Sequence, residues 1–297
     1  MKLVYNTSSK SNSYTSNKIS FSKRKIITFS TCWYILKSKF SIGRYLKWIK
    51  NFLSIVNNFY LVIYTNKESF LFLSPLIDKK NQNIKIIIKP IEEFYTYKFK
   101  ELWIKNHEKS HMDLHKKTDW ELNMLWNEKV FFVQETINNK YFSTIYYGWC
   151  DIGYFRNRPN DLNSAYLNNW PNNEKLLSNN FKNICIHYGC VQNDTLKYWK
   201  HNQDIKSHYN NPNSEPSLEH NESCFAGGFF IMPIFLANYY AKIYDDKLNY
   251  YFSNDYFIKD DQTIIKDIIF TNEKMVNIHR EFDKRFDNWF MFQRLLF

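Results

Sequence analysis

A chain of 297 residues with 44% hydrophobic and 19% aromatic residues can bury a substantial core, and its 6 glycines and 7 prolines exclude collagen-like or Pro/Gly low-complexity sequence. Its 40 Lys+Arg against 29 Asp+Glu leave a net charge of +11, which favours anionic partners in general. The lysines, however, accompany Asn, Ile, Tyr and Phe, all encoded by A/T-rich codons, and the densest basic run, Lys23-Arg24-Lys25, is short; no nucleic-acid partner is predicted, while a local basic pocket for a diphosphate is compatible with the charge.

Residues 1–24 are rich in Ser, Asn, Thr and Lys, lack the apolar core of a signal peptide, and read as a poorly ordered polar leader. The β-branched run 25–30 (KIITFS) predicts a first strand. Residues 44–56 follow as a helix, with Tyr45, Ile49, Phe52, Leu53 and Val56 at helical spacing. The unbroken apolar run 59–64 (FYLVIY) predicts a strand buried on both faces of a parallel sheet. The richest apolar stretch, 52–64, is interrupted by Asn57 and Asn58, so no transmembrane segment is predicted. Residues 84–88 (IKIII) form the next strand and 91–105 an amphipathic segment. This β-α-β-loop-β-α order predicts an α/β fold, a single domain over residues 25–297 with a mixed, mainly parallel sheet flanked by helices.

Further on, residues 118–135 read as a helix with Thr118 as N-cap and Glu121 completing a capping box. His107, His111 and His115 fall at i, i+4, i+8 just before it, in a Lys-rich stretch that predicts a solvated polar face. Residues 141–150 predict a strand, 157–183 an irregular segment, 183–188 another strand, and 192–221 a long polar loop or lid. Residues 223–232 predict a strand leading into a helix at 233–244 with Pro233 in its first turn, and 260–269 a last helix. Five cysteines without CxxC spacing argue against a zinc ribbon and for a reducing, cytoplasmic setting.

Three motifs can carry chemistry. Trp149-Cys150-Asp151-Ile152-Gly153 closes an aromatic strand, and ligands of open α/β sheets bind beyond the carboxyl ends of strands. An aspartate there can hold Mg²⁺ or Mn²⁺ against substrate phosphates, or simply make a turn. Ala226-Gly227-Gly228-Phe229 places a third of the chain's 6 glycines inside an apolar run, which suits either a ligand against bare backbone or a tight crossing in the sheet. Asp260-Asp261-Gln262 opens a helix, where carboxylates cap the end or face a reacting centre; the helix terminus predicts a lowered pKa for Asp261. His279, after a short apolar run, is a late-chain candidate metal ligand.

Taken in order, the segments Ile27-Thr28-Phe29-Ser30-Thr31, Arg44-Tyr45…Phe52, Leu61-Val62-Ile63-Tyr64-Thr65-Asn66, Leu125-Trp126-Asn127-Glu128-Lys129, Trp149-x-Asp151-x-Gly153…Arg156, Ala226-Gly227-Gly228-Phe229 and Asp261-Gln262 resemble the HtrL/YibB (WlaTC) family of bacterial and viral glycosyltransferases. The resemblance implies a GT-A-like fold, a nucleotide-sugar donor, a glycan or glycosylated protein acceptor, and a divalent cation, Mn²⁺ or Mg²⁺. It implies catalytic roles for Asp151 and Asp261, donor contacts from Ser30, Thr31, Arg44, Asn66, Lys129, Trp149 and Arg156, and a sugar or acceptor site at Ala226, Gly227 and Gly228. Asp151 and His279 are the expected metal ligands. The chain departs from the usual GT-A pattern in carrying Asp-x-Gly, with Gly153 where Asp-x-Asp enzymes have a second carboxylate. That departure supports an alternative, a carbohydrate- or nucleotide-binding protein that kept the fold without the chemistry.

Overall fold

The computed structural model describes residues 24–181, 184–211, 216 and 222–297, so the expected leader lies outside the described residues except for Arg24. The first half comprises β1 (Ile27–Cys32), α1 (Ile42–Ser54), β2 (Tyr60–Thr65), α2 (Lys67–Leu73), β3 (Ile84–Ile88), α3 (Lys100–Glu108), the one-turn α4 (Asp113–Lys116) and the long α5 (Trp120–Asn138). The second half runs β4 (Tyr146–Cys150), the one-turn α6 (Asn173–Leu176), β5 (Ile186–Cys190), α7 (Thr195–Asn210), β6 (Phe225–Pro233), α8 (Ala237–Ser253), α9 (Asp261–Thr271), β7 (Val276–Arg280) and the terminal turn α10 (Phe292–Leu295).

The strands join in one seven-stranded sheet of order β3-β2-β1-β4-β6-β5-β7. β3, β2, β1 and β4 are mutually parallel, as are β5 and β7, and β6 alone runs antiparallel to both its neighbours. The expected mixed, mainly parallel α/β sheet is borne out. Side-chain alternation explains why both faces are covered. In β2, Leu61 and Ile63 enter a core with Ile49 and Phe52 of α1, while Val62 and Tyr64 enter the opposite one with Phe132 of α5 and Ile264 of α9.

Helix α5 is tied to the sheet by hydroxyls as well as by apolar packing. Thr136 sits 2.8 Å from the Ser30 hydroxyl and 2.9 Å from that of Tyr64. Its N-cap is Asp119, whose carboxylate accepts from Trp120 N at 2.7 Å; Thr118 instead donates to Leu114 O. The strand expected from residue 141 starts at Tyr146, after a turn in which Lys140 has φ 51°. Pro233 ends β6 and does not open a helix, because residues 234–236 make a 3-10 turn before α8. The histidines 107, 111 and 115 do not share one helical face: α3 ends at Glu108, and His115, in α4, is buried with Nε2 2.8 Å from Lys259 O.

The topology locates a crevice. From β1 the chain winds outward through β2 and β3, while β4 begins on the other side of β1. Ligands of open α/β sheets bind beyond the carboxyl ends of the strands at such a reversal.

Candidate functional site

A cleft of about 410 Å³ opens at that reversal, within the range of small-molecule sites. Its floor carries Asp151, directly after β4, with Gly227 and Gly228 of β6 and Asp261 of α9. Lys129 of α5 reaches the same floor, and Lys39, Arg156 and Phe290 belong to the walls.

Lys129 lies on the sheet-facing stripe of α5, in line with Leu125, Phe132 and Thr136, so its ammonium is buried. Its Nζ donates to Asp261 Oδ2 at 2.8 Å and Gly227 O at 2.9 Å, and lies 3.2 Å from Asp151 Oδ1. Three acceptors match the three N–H groups of an ammonium. Burial opposes the Lys129 charge, but Asp151 and Asp261 outweigh it and hold the lysine above its ordinary range. The two carboxylates differ. The Asp261 side chain is 5% exposed, that of Asp151 39%. Burial lifts the Asp261 carboxyl from 3.8 to about 6, with Lys129 opposing and Asp260 and Asp151 adding to the rise. This corrects the lowered value expected from the helix terminus: loss of solvent outweighs the helix dipole. The cap of α9 is Asp260, whose Oδ1 accepts from Gln262 N at 3.1 Å.

Trp149 meets Asp151 from the strand. Its Nε1 donates to Asp151 Oδ1 at 2.6 Å, and the indole itself is buried under α5 against Phe132. The adjacent glycines answer a question the sequence left open. A Cβ on Gly227 would stand 2.3 Å from Asp261 Oδ2, and one on Gly228 3.0 Å from Asp151 Oδ2. Neither glycine has a positive φ, so the reason for glycine is close approach by the two carboxylates.

Arg156 is held at the wall by aromatic rings. Its guanidinium lies 4.5 Å from the Trp48 ring and 4.9 Å from that of Phe290, and its Nε donates to Gly153 O at 2.8 Å. The neighbouring Arg158 is engaged by Asp161 at 3.0 Å and Asp287 at 2.7 Å.

Six of the expected site residues therefore line one cleft: Asp151, Asp261, Lys129, Arg156, Gly227 and Gly228. Trp149 adjoins the cleft through its bond to Asp151, and the rest lie elsewhere. Ser30 is bonded under α5, and Thr31 is buried within β1. Arg44 projects from α1 with its guanidinium 5.4 Å from the Phe40 ring. Asn66 caps α2 by accepting from Ser69 N at 2.8 Å, and Ala226 is buried in β6. Lys39, Trp48, Arg158 and Phe290 were missed by sequence reasoning. Lys39 and Arg158 stand in connections, Trp48 in α1 and Phe290 near the C-terminus.

The expected cation site is not assembled. His279 lies in β7 at the far side of the sheet, 3.0 Å from His187 Nδ1 and stacked on Phe181. Burial and His187 depress its pKa to about 4. Asp261 is engaged by Lys129, and a Cβ at Gly153 would stand 2.9 Å from Trp48 Cε3, so the second carboxylate position is filled by an indole. Among the described residues no group of three His, Cys, Asp or Glu side chains is placed to hold a metal ion. The two expected ligands, Asp151 and His279, are thus not brought together, and Asp151 Oδ1 is already engaged by Trp149 and Lys129, so the expected pair does not make a Mn²⁺ or Mg²⁺ site. No helix among the described residues is long and apolar enough to cross a membrane.

No protein-family model matches the chain and no curated protein matches it. Among solved structures, mouse xyloside xylosyltransferase 1 in its apo form is similar over 85% of this chain and 85% of its own, at 11% identity and a TM-score of 0.48. The 4-diphosphocytidyl-2C-methyl-D-erythritol synthase of Anaerococcus prevotii DSM 20548 is similar over 87% of this chain and 88% of its own, at 10% identity and a TM-score of 0.39. Both likenesses are distant.

Proposed function

We propose that the chain is a glycosyltransferase of the kind the HtrL/YibB resemblance implies, moving a sugar from a nucleotide-sugar donor to a hydroxyl of a glycan or glycosylated protein. One observation carries the reading. Two carboxylates share a single buried ammonium on the floor of a cleft at the topological reversal, beneath a wall that presents a guanidinium. In the reaction, the bond from the sugar's anomeric carbon to the diphosphate breaks with its electron pair on the diphosphate oxygen. The acceptor oxygen bonds to that carbon, and its proton leaves to a base. Asp151 is the accessible carboxylate for that proton, with one oxygen fixed by Trp149 and Lys129 and the other turned toward the bare backbone at Gly228. Asp261 acts as a positioning residue, anchoring Lys129 from below. No step is assigned to a divalent cation.

The test is incubation with a panel of nucleotide-sugars and simple glycoside acceptors, reading released nucleoside diphosphate and transferred sugar. Turnover that collapses in Asp151→Asn while donor affinity survives supports the reading. Donor binding with no turnover by the wild-type chain would favour the non-catalytic alternative that Gly153 suggests.

A further inference from the structure

Position 153 is where the sequence departs from a two-carboxylate pattern, and the structure fills that position with cationic machinery. The space beside Gly153 belongs to Trp48, whose ring carries the Arg156 guanidinium at 4.5 Å. The same arginine donates from Nε to Gly153 O at 2.8 Å, and Phe290 and Phe40 face it at 4.9 and 5.5 Å. Three rings and a backbone bond fix the fork in one orientation before any ligand arrives. Among the described residues no carboxylate pairs with Arg156, and its terminal amino groups make no hydrogen bond, whereas Arg158 next to it is neutralised by Asp161 and Asp287. Burial and the Arg158 charge disfavour the Arg156 charge, while Asp151 and Asp161 favour it at longer range without pairing with it. Lys39, exposed at the rim of the same cleft, adds a second positive charge: its ammonium lies 5.2 Å from the Trp126 ring, with no carboxylate paired to it among the described residues.

A half-buried guanidinium with no directly paired carboxylate is an unfavourable arrangement unless an anion completes it. A guanidinium fork matches phosphate oxygens two at a time, and a lysine adds a point charge. We propose that Arg156 and Lys39 hold the diphosphate of the donor directly, so that donor binding and departure of the diphosphate need no divalent cation. The inference rests on the nucleotide-sugar reading above. It separates two jobs. Lys129 balances the carboxylates on the floor, and Arg156 with Lys39 balances the phosphates above them.

Isothermal titration of the full chain with UDP, GDP, CDP and ADP, first in EDTA and then with excess Mn²⁺, tests it. The expected result is that at least one of them binds in EDTA and that Mn²⁺ changes its affinity by less than about threefold. Arg156→Ala should weaken that binding by about tenfold or more, and Lys39→Ala by several-fold, the order expected for a lost charge-assisted contact. Arg156→Lys, which keeps the charge and stem, guards against misfolding and should still weaken binding several-fold through loss of the fork. Melting temperatures near that of the wild type establish that each variant is folded. Binding that appears only with Mn²⁺ overturns the inference and leaves the nucleotide-sugar reading standing. Binding in EDTA that ignores both substitutions also overturns it. Failure of all four nucleotides under both conditions removes the nucleotide-sugar reading, and the inference with it.

Discussion

Replacing Lys129 by methionine keeps the length and packing of the side chain but removes the ammonium. Asp261, its side chain 5% exposed, then loses the partner at 2.8 Å that offsets its burial, and Gly227 O loses a donor at 2.9 Å. Breaking one half of a buried ion pair costs about 3–5 kcal/mol. Asp151, half exposed, adds little because water can solvate it. The loss has a ceiling, since Asp261 can take up a proton. With the lysine present its pKa is already about 6, and without it the value rises further. A carboxyl raised in the folded state contributes stability that is full below about pH 4 and lost as pH rises through the folded pKa. The destabilisation of Lys129→Met must therefore be largest at pH 8 and smaller at pH 5, where Asp261 is protonated in both proteins. Urea unfolding at the two pH values, followed by tryptophan fluorescence, measures it. The double variant Lys129→Met/Asp261→Asn should recover at least about 1 kcal/mol relative to Lys129→Met alone, since it removes the stranded charge. A loss under about 1 kcal/mol at pH 8, or the same loss at both pH values, would refute a buried charge cluster at this position.

Asp151→Asn should leave the melting temperature within about 2 °C, because the site is half exposed, while lowering turnover at least about a hundredfold; wild-type turnover would remove Asp151 from the chemistry. Gly227→Ala puts a methyl 2.3 Å from Asp261 Oδ2 and should cost about 1–3 kcal/mol. Adding Asp261→Ala should restore most of that stability without restoring turnover, and no recovery would mean that the strand itself requires glycine. Between wild type and Asp261→Asn, only the wild type should lose stability as pH rises through 6; parallel stability profiles contradict the raised carboxyl. For His279 the sign is opposite. With its pKa lowered from 6.5 to about 4, its contribution is full above 6.5 and is lost as pH falls through 4, so His279→Leu should blunt acid destabilisation, and an unchanged acid limb speaks against the pair with His187.

The parts of the fold legible in the sequence are those with strong apolar pattern. FYLVIY marked β2 because a strand buried on both faces has no polar side, and IKIII and the 260–269 segment were equally plain. Helix α7 was expected to be loop because its inward stripe is polar: His201, Asn202, Ile205 and His208 are buried at helical spacing, so periodicity was present but not in hydrophobicity. The polar floor of the site was marked by local motifs at Asp151, Gly227, Gly228 and Asp261. Two features escaped. The glycine pair could be explained only when the carboxylates opposite it were in place, since they come from residues 77 positions before and 34 after. The aromatic clamp on Arg156 joins Phe40, Trp48 and Phe290, which no spacing rule connects.

The reversed direction of β6 has a consequence for how such a site could change over time. In a fully parallel sheet the residues next to the ligand belong to loops, which tolerate insertion and drift. Here Gly227 and Gly228 belong to a strand body hydrogen-bonded to β4, with Asp151 N donating to Gly228 O at 2.8 Å. The floor of the cleft thus inherits the register of the sheet, and a one-residue slip would turn every neighbouring side chain to the wrong face. On the proposed function, altered preference for donor or acceptor would arise in the walls, around residues 39–48 at the start of α1, 156–158 and 287–290, while the floor stays constant.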